Sequence, residues 1–423
     1  MNDKKKNAAI VSLSDEVSEI KQLAESLDYH IVETFIQHRK TPDVNSYVGS
    51  GKVEEIKEFI ENYDEDIALI IVDGKLKPSQ WVILEKRLNV EVYDRLRLIL
   101  AIFRERADRK EAKLQVRLAE LQYEKPFVRE LIHRERGGEH PGLMAGGEYQ
   151  VDDYFEMAKK QTKKIRGDLK KICDERGIRR HHRHTSGFYL VSLTGYTNAG
   201  KSSLLNLLSN EKVKVEERLF STLSTTTRKI SNTDVPILLT DTVGFIQNLP
   251  AWIIDSFHST LEEIEVADVV LLIVDTSEKK EDFEKKLKTS LDELTEIGVN
   301  SPIVIVLNKI DLISKEELNA KIEYLKELRL THYRKIVPIS VKNKENTDVL
   351  LDVIHSSLPR LAKITIKLPI NEKTQSFISW IYEKAHVSEI SYEEYITLSI
   401  KCNTKIKSMI VSKCEEFNGI ILN

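Results

Sequence analysis

A run of eight residues has the types and spacing of a phosphate-binding loop. It consists of Gly195, Tyr196, Thr197, Asn198, Ala199, Gly200, Lys201 and Ser202. Glycines let backbone N–H groups curl around phosphate oxygens, and a helix that follows adds the positive end of its dipole. We expect Lys201 to reach the β- and γ-phosphates of a nucleotide and the Ser202 hydroxyl to bind Mg²⁺. The match is specific, because an apolar strand precedes it and a helical pattern follows.

A second motif that could act on phosphate follows the apolar residues 236–240. It consists of Asp241, Thr242, Val243 and Gly244. An Asp-x-x-Gly sequence at the end of a buried strand can hold Mg²⁺ through water, and its glycine N–H can sense the γ-phosphate. The pattern is common in turns, but its position after a phosphate loop makes it informative. We therefore expect Gly244 to act with Lys201 in catalysis.

A third motif could recognise the base. It consists of Asn308, Lys309, Ile310 and Asp311, and it follows the apolar run 303–307. The Asp311 carboxylate can accept hydrogen bonds from the ring N–H and the exocyclic amine of guanine, whereas adenine would leave that charge unpaired. Asn308 would brace the site and the stem of Lys309 would cover the base. Residues placed to close over the base are Ser340, Val341 and Lys342. The motifs predict GTP rather than ATP as the ligand.

The segment between the two phosphate motifs is rich in hydroxyl groups. Its candidate nucleotide-binding residues are Phe220, Ser221, Thr222, Leu223 and Ser224. A GTPase switch needs a threonine that binds Mg²⁺ only while the γ-phosphate is present. Four threonines compete for this role within residues 222–227, and spacing alone does not choose among them.

The position after Gly244 bears on the rate of hydrolysis. Many GTPases have a glutamine there that orients the attacking water, but this chain has Phe245. We expect slow intrinsic hydrolysis unless a partner or another group positions the water. Asn198 could help to hold a K⁺ ion beside the phosphates and so supply positive charge, or it could only stabilise the turn. The sequence leaves both roles open.

The elements that would position these motifs form a regular α/β pattern. Apolar strands are expected at 188–194, 236–240, 269–274, 303–307 and 335–339, with helical patterns between them. This alternation predicts a parallel sheet with helices on its faces. We therefore expect a G domain of the P-loop GTPase class over residues 184–360.

A second α/β pattern occupies the N-terminal part of the chain. Strands are expected at 8–13, 67–72 and 90–93, and helices at 15–27, 52–62 and 78–87. Gly49-Ser-Gly51-Lys52 resembles a phosphate loop but lacks its spacing and its metal-binding hydroxyl, so we interpret it as a turn that opens a helix. The pattern predicts an N-terminal α/β domain over residues 1–100 and, at the other end, a small α+β module over 361–423.

Residues 101–183 are predicted to form a basic antiparallel helical hairpin. One helix face would carry Phe103, Ala107, Leu114, Leu118 and Leu121, a second helix would span about 152–176, and Pro126 should break or kink the first. Between Arg104 and His184 there are 21 Lys and Arg against 15 Asp and Glu, although the whole chain has a net charge of −3. Such an arm could contact an anionic partner or could simply be solvated.

The expected tip of the hairpin is unusually rich in glycine. Five of the 16 glycines of the chain fall within residues 137–147. A flexible and nearly uncharged tip suits a probe that enters a crevice, and an ordinary loose loop is the alternative.

Composition excludes several other classes of protein. Apolar residues make up 41% of the chain and charged residues 31%, which is compatible with folded cores. Cys173, Cys402 and Cys414 lie far apart, so neither a disulfide framework nor a cysteine zinc site is expected. No apolar run approaches the ~18 residues of a membrane helix, and no signal peptide is apparent. We expect a cytoplasmic protein.

The combined motifs resemble the HflX family of translational GTPases. Residues 47–52, 94–95, 98–103 and 113–123 resemble the N-terminal region of that family, and the nucleotide motifs resemble its G domain. The similarity covers nearly the whole chain. It implies a GTPase that binds the large (50S) ribosomal subunit, with the arm meeting ribosomal RNA and, in bacterial members, splitting ribosomes. We expect the protein to be a monomer. It also implies that Thr222 is the metal-binding threonine and that Arg228 matches the final arginine of the switch pattern.

Two segments depart from the family pattern. Ser224 and Thr225 replace an Asp-Pro pair, and the loop from Gly138 to Glu148 lacks the usual Gly-x-Gly-Thr-Arg-Gly-Pro-Gly-Glu tip. Splitting activity therefore follows less directly from the resemblance than GTP binding does. An RNA-binding assembly factor that is gated by nucleotide and a regulatory switch that acts on a protein effector stay open as alternatives.

Overall fold

The computed structural model describes residues 6–137, 146–185, 188–209, 226–230, 236–246, 250–256, 258–328, 333–359, 362–402 and 404–422. The chain divides into two compact units. The first comprises the described residues up to Lys170 together with 250–256 and 258, and the second comprises the other described residues from Lys171 onward.

A four-stranded parallel sheet with the order β2-β1-β3-β4 forms the core of the first unit. Its elements are β1 (Lys6–Ser12), α1 (Ser18–Ser26), β2 (Tyr29–Ile36), α2 (Ser50–Asn62), β3 (Ile67–Val72), α3 (Pro78–Leu88), β4 (Glu91–Asp94) and α4 (Arg95–Arg106). The predicted strands and helices are confirmed to within a few residues, and Gly49 is the N-cap of α2, as the turn interpretation requires. Strand β2 was not predicted, because charged and polar residues interrupt its apolar pattern at the exposed edge of the sheet.

Two long helices, α5 (Lys110–Gly137) and α6 (Gly146–Thr185), form the arm. Leu118 and Leu121 of α5 pack with Ala158 and Ile165 of α6, as expected of an antiparallel hairpin. The expectation of one helix face from residue 103 to 121 is wrong, because α4 ends at Arg106 before α5 begins.

Pro126 does not break the helix, because α5 continues through this residue, and the alternative of a kink stays a prediction. The ring of Tyr123 lies 4.7 Å from that of Phe127, and Phe127 packs edge-on against Trp81 at 5.6 Å. These contacts hold the turns on both sides of the proline and offset the lost backbone hydrogen bond. Most of the expected glycine-rich tip lies outside the described residues.

The remaining elements of the G-domain region are β5 (Tyr189–Gly195), α7 (Lys201–Ser209), β6 (Thr226–Lys229), β7 (Ile237–Asp241), α8 (Ala251–Ser256), α9 (His258–Glu265), β8 (Val269–Asp275), α10 (Lys280–Ile297), β9 (Ile303–Asn308), α11 (Lys315–Glu327), β10 (Tyr333–Pro338) and α12 (Thr347–Ser357). The sheet order is β10-β9-β8-β5-β7-β6, and only β6 is antiparallel to its neighbour. All five predicted strands are confirmed. Their carboxyl ends share one edge, where open α/β sheets bind ligands.

The C-terminal module is a four-stranded antiparallel sheet with the order β12-β13-β11-β14. Its elements are β11 (Ala362–Pro369), α13 (Glu372–Lys384), β12 (His386–Tyr392), β13 (Tyr395–Cys402), α14 (Thr404–Glu416) and β14 (Ile420–Ile421). This βαββαβ order is a split βαβ fold. Apolar residues of both helices pack with Ile364, Ile366, Leu398 and Ile400, so one face of the sheet forms the core. Within the described part of the chain, no helix is long and apolar enough to cross a membrane.

Candidate functional site

The phosphate motif connects the end of β5 to the start of α7. Gly195 and Gly200 have φ angles of +132° and +100°, which side-chain-bearing residues rarely adopt. A Cβ atom on Gly195 would lie 2.2 Å from the carbonyl oxygen of Ile273, and one on Gly200 would lie 2.3 Å from Nδ2 of Asn308. Both glycines are therefore required by close packing as well as by backbone conformation.

The side chain of Lys201 is buried inside the curve of this loop. Its Nζ donates hydrogen bonds to the carbonyl oxygens of Gly195, at 3.1 Å, and Tyr196, at 2.9 Å. Burial lowers the pKa of Lys201 to about 8, and the charge of Asp241 acts in the opposite direction. The ammonium group is thus held where a phosphate oxygen would satisfy it better than carbonyl groups do.

A pair of oxygen ligands lies at the N-terminus of α7. The Ser202 hydroxyl donates to Oδ2 of Asp241 at 2.6 Å, and Asp241 ends the neighbouring strand β7. A hydroxyl and a carboxylate are ligands that Mg²⁺ prefers. Ser202 and Asp241, two of the residues that the sequence associates with the metal, therefore fit it, Ser202 as a direct ligand and Asp241 as an outer partner.

Gly244 lies directly against the phosphate loop. A Cβ atom there would be 2.7 Å from Nζ of Lys201 and 2.9 Å from Cγ2 of Thr197. The next residue, Phe245, accepts a hydrogen bond from the backbone N–H of Thr197 and donates one to the carbonyl of Gly195, each at 3.0 Å. These bonds fix the Asp-x-x-Gly motif to the loop. The ring of Phe245 is 6% exposed, so it belongs to the core and cannot hold a water molecule by hydrogen bonding.

Asn308 links the phosphate loop to the motif expected to bind the base. Its Nδ2 donates to the carbonyl of Ala199 at 2.8 Å, and its Oδ1 accepts from the backbone N–H of Val341 at 3.2 Å. Asn308 is 3% exposed, so both bonds form away from water. Three of the predicted motifs are thereby held together by one side chain.

The base motif is assembled from the ends of β9 and β10. Asp311 lies in a 3₁₀ turn over Ile310–Leu312, and its Oδ1 accepts a hydrogen bond from the Ser340 hydroxyl at 2.6 Å. Ser340 in turn accepts from the backbone N–H of Asn343. The serine thus orients the carboxylate and leaves its other oxygen for a ligand.

Two residues of this region were missed by sequence reasoning. Oδ2 of Asp275 pairs with Nζ of Lys309 at 2.5 Å, and the Thr276 hydroxyl donates to the carbonyl of Asn308 at 2.6 Å. Lys309 itself has a φ of +66°, which these contacts help to hold. Their position in the sequence was the available signal, because Asp275 ends β8, the strand that neighbours β9, and Thr276 follows it directly.

Several predicted site residues lie outside the described residues. They are Phe220, Ser221, Thr222, Leu223 and Ser224. Asn198 is described and exposed, with a φ of +63° that suits an asparagine in a tight turn. The role of Thr222 as a metal ligand stays a prediction.

Comparison with known proteins adds to this geometry. The chain matches the families described as "GTP-binding GTPase N-terminal" at residues 14–104, "GTP-binding GTPase Middle Region" at 106–183 and "50S ribosome-binding GTPase" at 190–309. It is 40% identical over 387 residues to the GTPase HflX of Thermococcus kodakarensis, covering 89% of this chain and 86% of that protein.

Other relatives are also similar over most of the chain. The GTPase HflX of Methanocaldococcus jannaschii is 41% identical over 379 residues, with 89% of this chain and 90% of that protein covered. The corresponding protein of Caldanaerobacter subterraneus is 34% identical over 417 residues, with 96% and 93% covered. A solved structure, the SsGBP and GDP complex, is 30% identical with a TM-score of 0.51 and covers 83% of this chain and 98% of that one.

Proposed function

Because the chain belongs to the HflX family of GTPases, we propose that it uses GTP binding and hydrolysis to control its association with the large ribosomal subunit in the cytoplasm. The observation that carries the proposal is the joining of a phosphate loop and a guanine-type motif by Asn308 at one sheet edge. The family description "50S ribosome-binding GTPase" supports the choice of partner.

In this proposal the phosphate loop and the guanine motif bind the two ends of one nucleotide. Backbone N–H groups of residues 195–202 would surround the phosphates, and Lys201 would exchange its carbonyl partners for phosphate oxygens. Asp311 would bind guanine with Ser340 as its positioning partner, while Asn308, Lys309, Ile310, Val341 and Lys342 would frame the base.

Ser202 and Thr222 would be the protein ligands of Mg²⁺, and Asp241 would be the outer hydrogen-bonding partner of Ser202. When bound, Mg²⁺ neutralises charge that develops on the β- and γ-phosphates during transfer to water. The 2.6 Å bond to Asp241 orients the Ser202 hydroxyl so that its oxygen lone pairs face away from the carboxylate. The backbone N–H of Gly244 would contact the γ-phosphate, and only a glycine fits beside Lys201 at this position.

The attacking water needs a partner other than residue 245, because the buried Phe245 ring offers no hydrogen bond. The exposed Asn198 could help to hold a K⁺ ion at the phosphates. Hydrolysis in K⁺ should then exceed hydrolysis in Na⁺, and Asn198→Ala should remove the difference. Equal rates in the two salts would limit Asn198 to a role in the turn.

The arm is the expected contact with ribosomal RNA. Exposed lysines of α6 in this region are Lys159, Lys160, Lys163 and Lys164. An exposed basic helix face suits a phosphate backbone, and neutralising it should weaken binding more at low salt than at high salt.

The division of the chain into parts 1–100, 101–183, 184–360 and 361–423 and a monomeric state also belong to the proposal.

The test is GTP hydrolysis with increasing amounts of large subunits. Stimulation is expected for the unchanged chain and should fall when the four lysines are changed to Gln. A matched control replaces Lys279, the N-cap of α10, and Lys280, Lys285 and Lys288 of α10 by Gln, with the same loss of charge. If saturating subunits leave the rate unchanged, the proposal fails. Sedimentation of whole ribosomes then separates splitting, which produces free subunits, from assembly work, in which the protein only co-migrates with immature particles.

A further inference from the structure

The C-terminal module has one sheet face that its helices do not cover. Buried residues of β11 and β13 alternate with half-buried or exposed ones, and the latter point away from α13 and α14. This open face, as we call it, carries Lys363, Thr365, Lys367 and Pro369 from β11, Tyr395, Thr397, Ser399 and Lys401 from β13, and His386, Glu389 and Ser391 from β12. Across β11, β12 and β13 it is polar and carries three lysines, and the exposed Ile420 of β14, which pairs with Lys367, adds an apolar side chain at its edge.

Strand register places basic side chains side by side on the open face. Lys401 of β13 lies opposite Lys363 of β11 on one side and opposite His386 of β12 on the other. Like charges directly opposite each other in a sheet are unfavourable, because Cβ atoms of such pairs are only about 4.5–5.5 Å apart. A row of this kind is stabilised when an anion lies across it.

The lysines of the open face have no acidic partners. Within the described part of the chain, the side chains of Lys363, Lys367 and Lys401 make no hydrogen bond or ion pair. Elsewhere in this protein, exposed lysines such as Lys280 and Lys326 pair with a neighbouring glutamate. The next row toward the hairpin consists of Glu389, Ser399 and Thr365, so the face holds three lysines against one carboxylate. Its charge is complementary to a polyanion.

An aromatic ring lies at the other end of the same face. Tyr395 is 46% exposed and is paired with Pro369, two residues before the outward-facing Thr397. Proteins that bind single-stranded nucleic acid combine a basic path for the backbone with aromatic rings on which bases stack. The four-stranded sheet of RNA-binding modules uses its open face in this way.

We propose that the open face of the C-terminal module binds single-stranded RNA, with phosphates along Lys363, Lys367 and Lys401 and a base on Tyr395. The rise of about 3.3 Å per strand residue separates Lys363 and Lys367 by about 13 Å, which spans roughly two nucleotides of an extended strand. Glu393 and Glu394 form the hairpin tip next to Tyr395. Because these carboxylates repel phosphate, we expect the phosphates to lie on the lysines, away from this tip. The proposal does not depend on GTP or on ribosomes.

The test uses the full chain and a fluorescent single-stranded RNA of about twelve nucleotides, with affinity measured over a range of salt concentrations. Changing Lys363, Lys367 and Lys401 to Gln should reduce the slope of log affinity against log salt by about 2, since each phosphate contact on a single strand contributes about 0.7. The matched control changes Lys279, Lys288 and Lys315 to Gln, which removes the same charge elsewhere. Unchanged GDP affinity shows that each variant is folded.

Three further variants test the roles of the tyrosine ring and of the acidic hairpin tip. Tyr395→Ala should weaken binding about tenfold, while Tyr395→Phe should retain it, because stacking needs the ring and not the hydroxyl. Changing Glu393 and Glu394 to Gln should strengthen binding.

The proposal is overturned if the Gln variant and its control bind RNA with the same affinity and slope. It is also overturned if the variant loses only binding to whole ribosomal subunits, because the face would then contact a protein. These results leave the GTPase assignment untouched, and failure of ribosome-stimulated hydrolysis would in turn leave the RNA measurement valid.

Discussion

Nδ2 of Asn308 lies 2.8 Å from the carbonyl oxygen of Ala199, across 109 residues of sequence. The same side chain accepts from Val341, so the phosphate loop and both parts of the base motif share one buried amide. The affinity for phosphate and the affinity for base should therefore depend on each other.

Replacing Asn308 tests whether the affinity for phosphate and the affinity for base depend on each other. Asn308→Ala should weaken binding of GDP by roughly 1–3 kcal/mol, or about 5- to 150-fold, because buried hydrogen-bonding groups lose their partner. Isothermal titration calorimetry measures the change. Asn319→Ala, at an exposed position of α11, is the control and should have no effect. Equal affinities for the two variants would mean that Asn308 does not brace the site.

Asp311 should determine the choice of base. Asp311→Asn replaces the acceptor for guanine N–H groups and should remove most of the preference for GTP over ATP, at least about tenfold in relative affinity. Competition of each nucleotide with a fluorescent GDP analogue gives the ratio. Ser340→Ala should have a smaller effect in the same direction, since it removes only the hydrogen bond that orients the carboxylate. A ratio that Asp311→Asn leaves unchanged would refute the guanine assignment.

Two glycines with positive φ allow the cost of backbone strain to be measured separately from the cost of a steric clash in the nucleotide site. Gly298 has a φ of +85° with nothing within 4 Å of an added Cβ, whereas a Cβ on Gly200 would meet Asn308. Gly298→Ala should therefore cost about 1–2 kcal/mol of stability and leave GDP affinity unchanged. Gly200→Ala should also weaken GDP by more than tenfold. Thermal unfolding with and without GDP measures both effects, and full retention of affinity by Gly200→Ala would contradict the described packing.

In the N-terminal unit, Asp94 is a buried acceptor for three donors. It is 1% exposed and accepts from the backbone N–H of Arg97, the backbone N–H of Leu76 and the Tyr123 hydroxyl. Asp94→Ala should destabilise this unit by about 2–4 kcal/mol, since it removes a helix cap and leaves buried donors without an acceptor. Hydrogen exchange of the β4 and α4 amides measures the change. Asp66→Ala, on an exposed site, should leave exchange unaltered.

The buried carboxylate of Asp94 should also make the stability of the folded protein depend on pH. Burial raises the pKa of Asp94, while the three donors oppose the increase. The folded state therefore holds the proton more tightly than the unfolded state, and the associated stability is lost as pH rises through the folded pKa. Relative to Asp94→Asn, the unchanged protein should gain stability as the pH is lowered from neutral toward this pKa. A difference that is constant with pH would contradict this.

Much of the fold and the nucleotide site could be predicted because the signals are local. A phosphate loop needs glycines at fixed offsets after a strand, and buried parallel strands appear as continuous apolar runs. The alternating polar residues of β2 gave no such run, and the break expected at Pro126 was offset by the Tyr123, Phe127 and Trp81 rings. Contacts between distant segments, such as Asp275 with Lys309, depend on strand neighbours that no local pattern specifies.

Co-sedimentation with large ribosomal subunits, in the presence of a non-hydrolysable GTP analogue or of GDP, tests whether the bound nucleotide controls this association. We expect the protein to pellet with the subunits in the presence of the analogue and to stay mainly in the supernatant with GDP. At nucleotide concentrations just sufficient to saturate the unchanged protein, Asp311→Asn should lose this difference, because it binds guanine nucleotides more weakly. Equal pelleting in the two nucleotides, by a protein shown to bind both, would contradict this expectation.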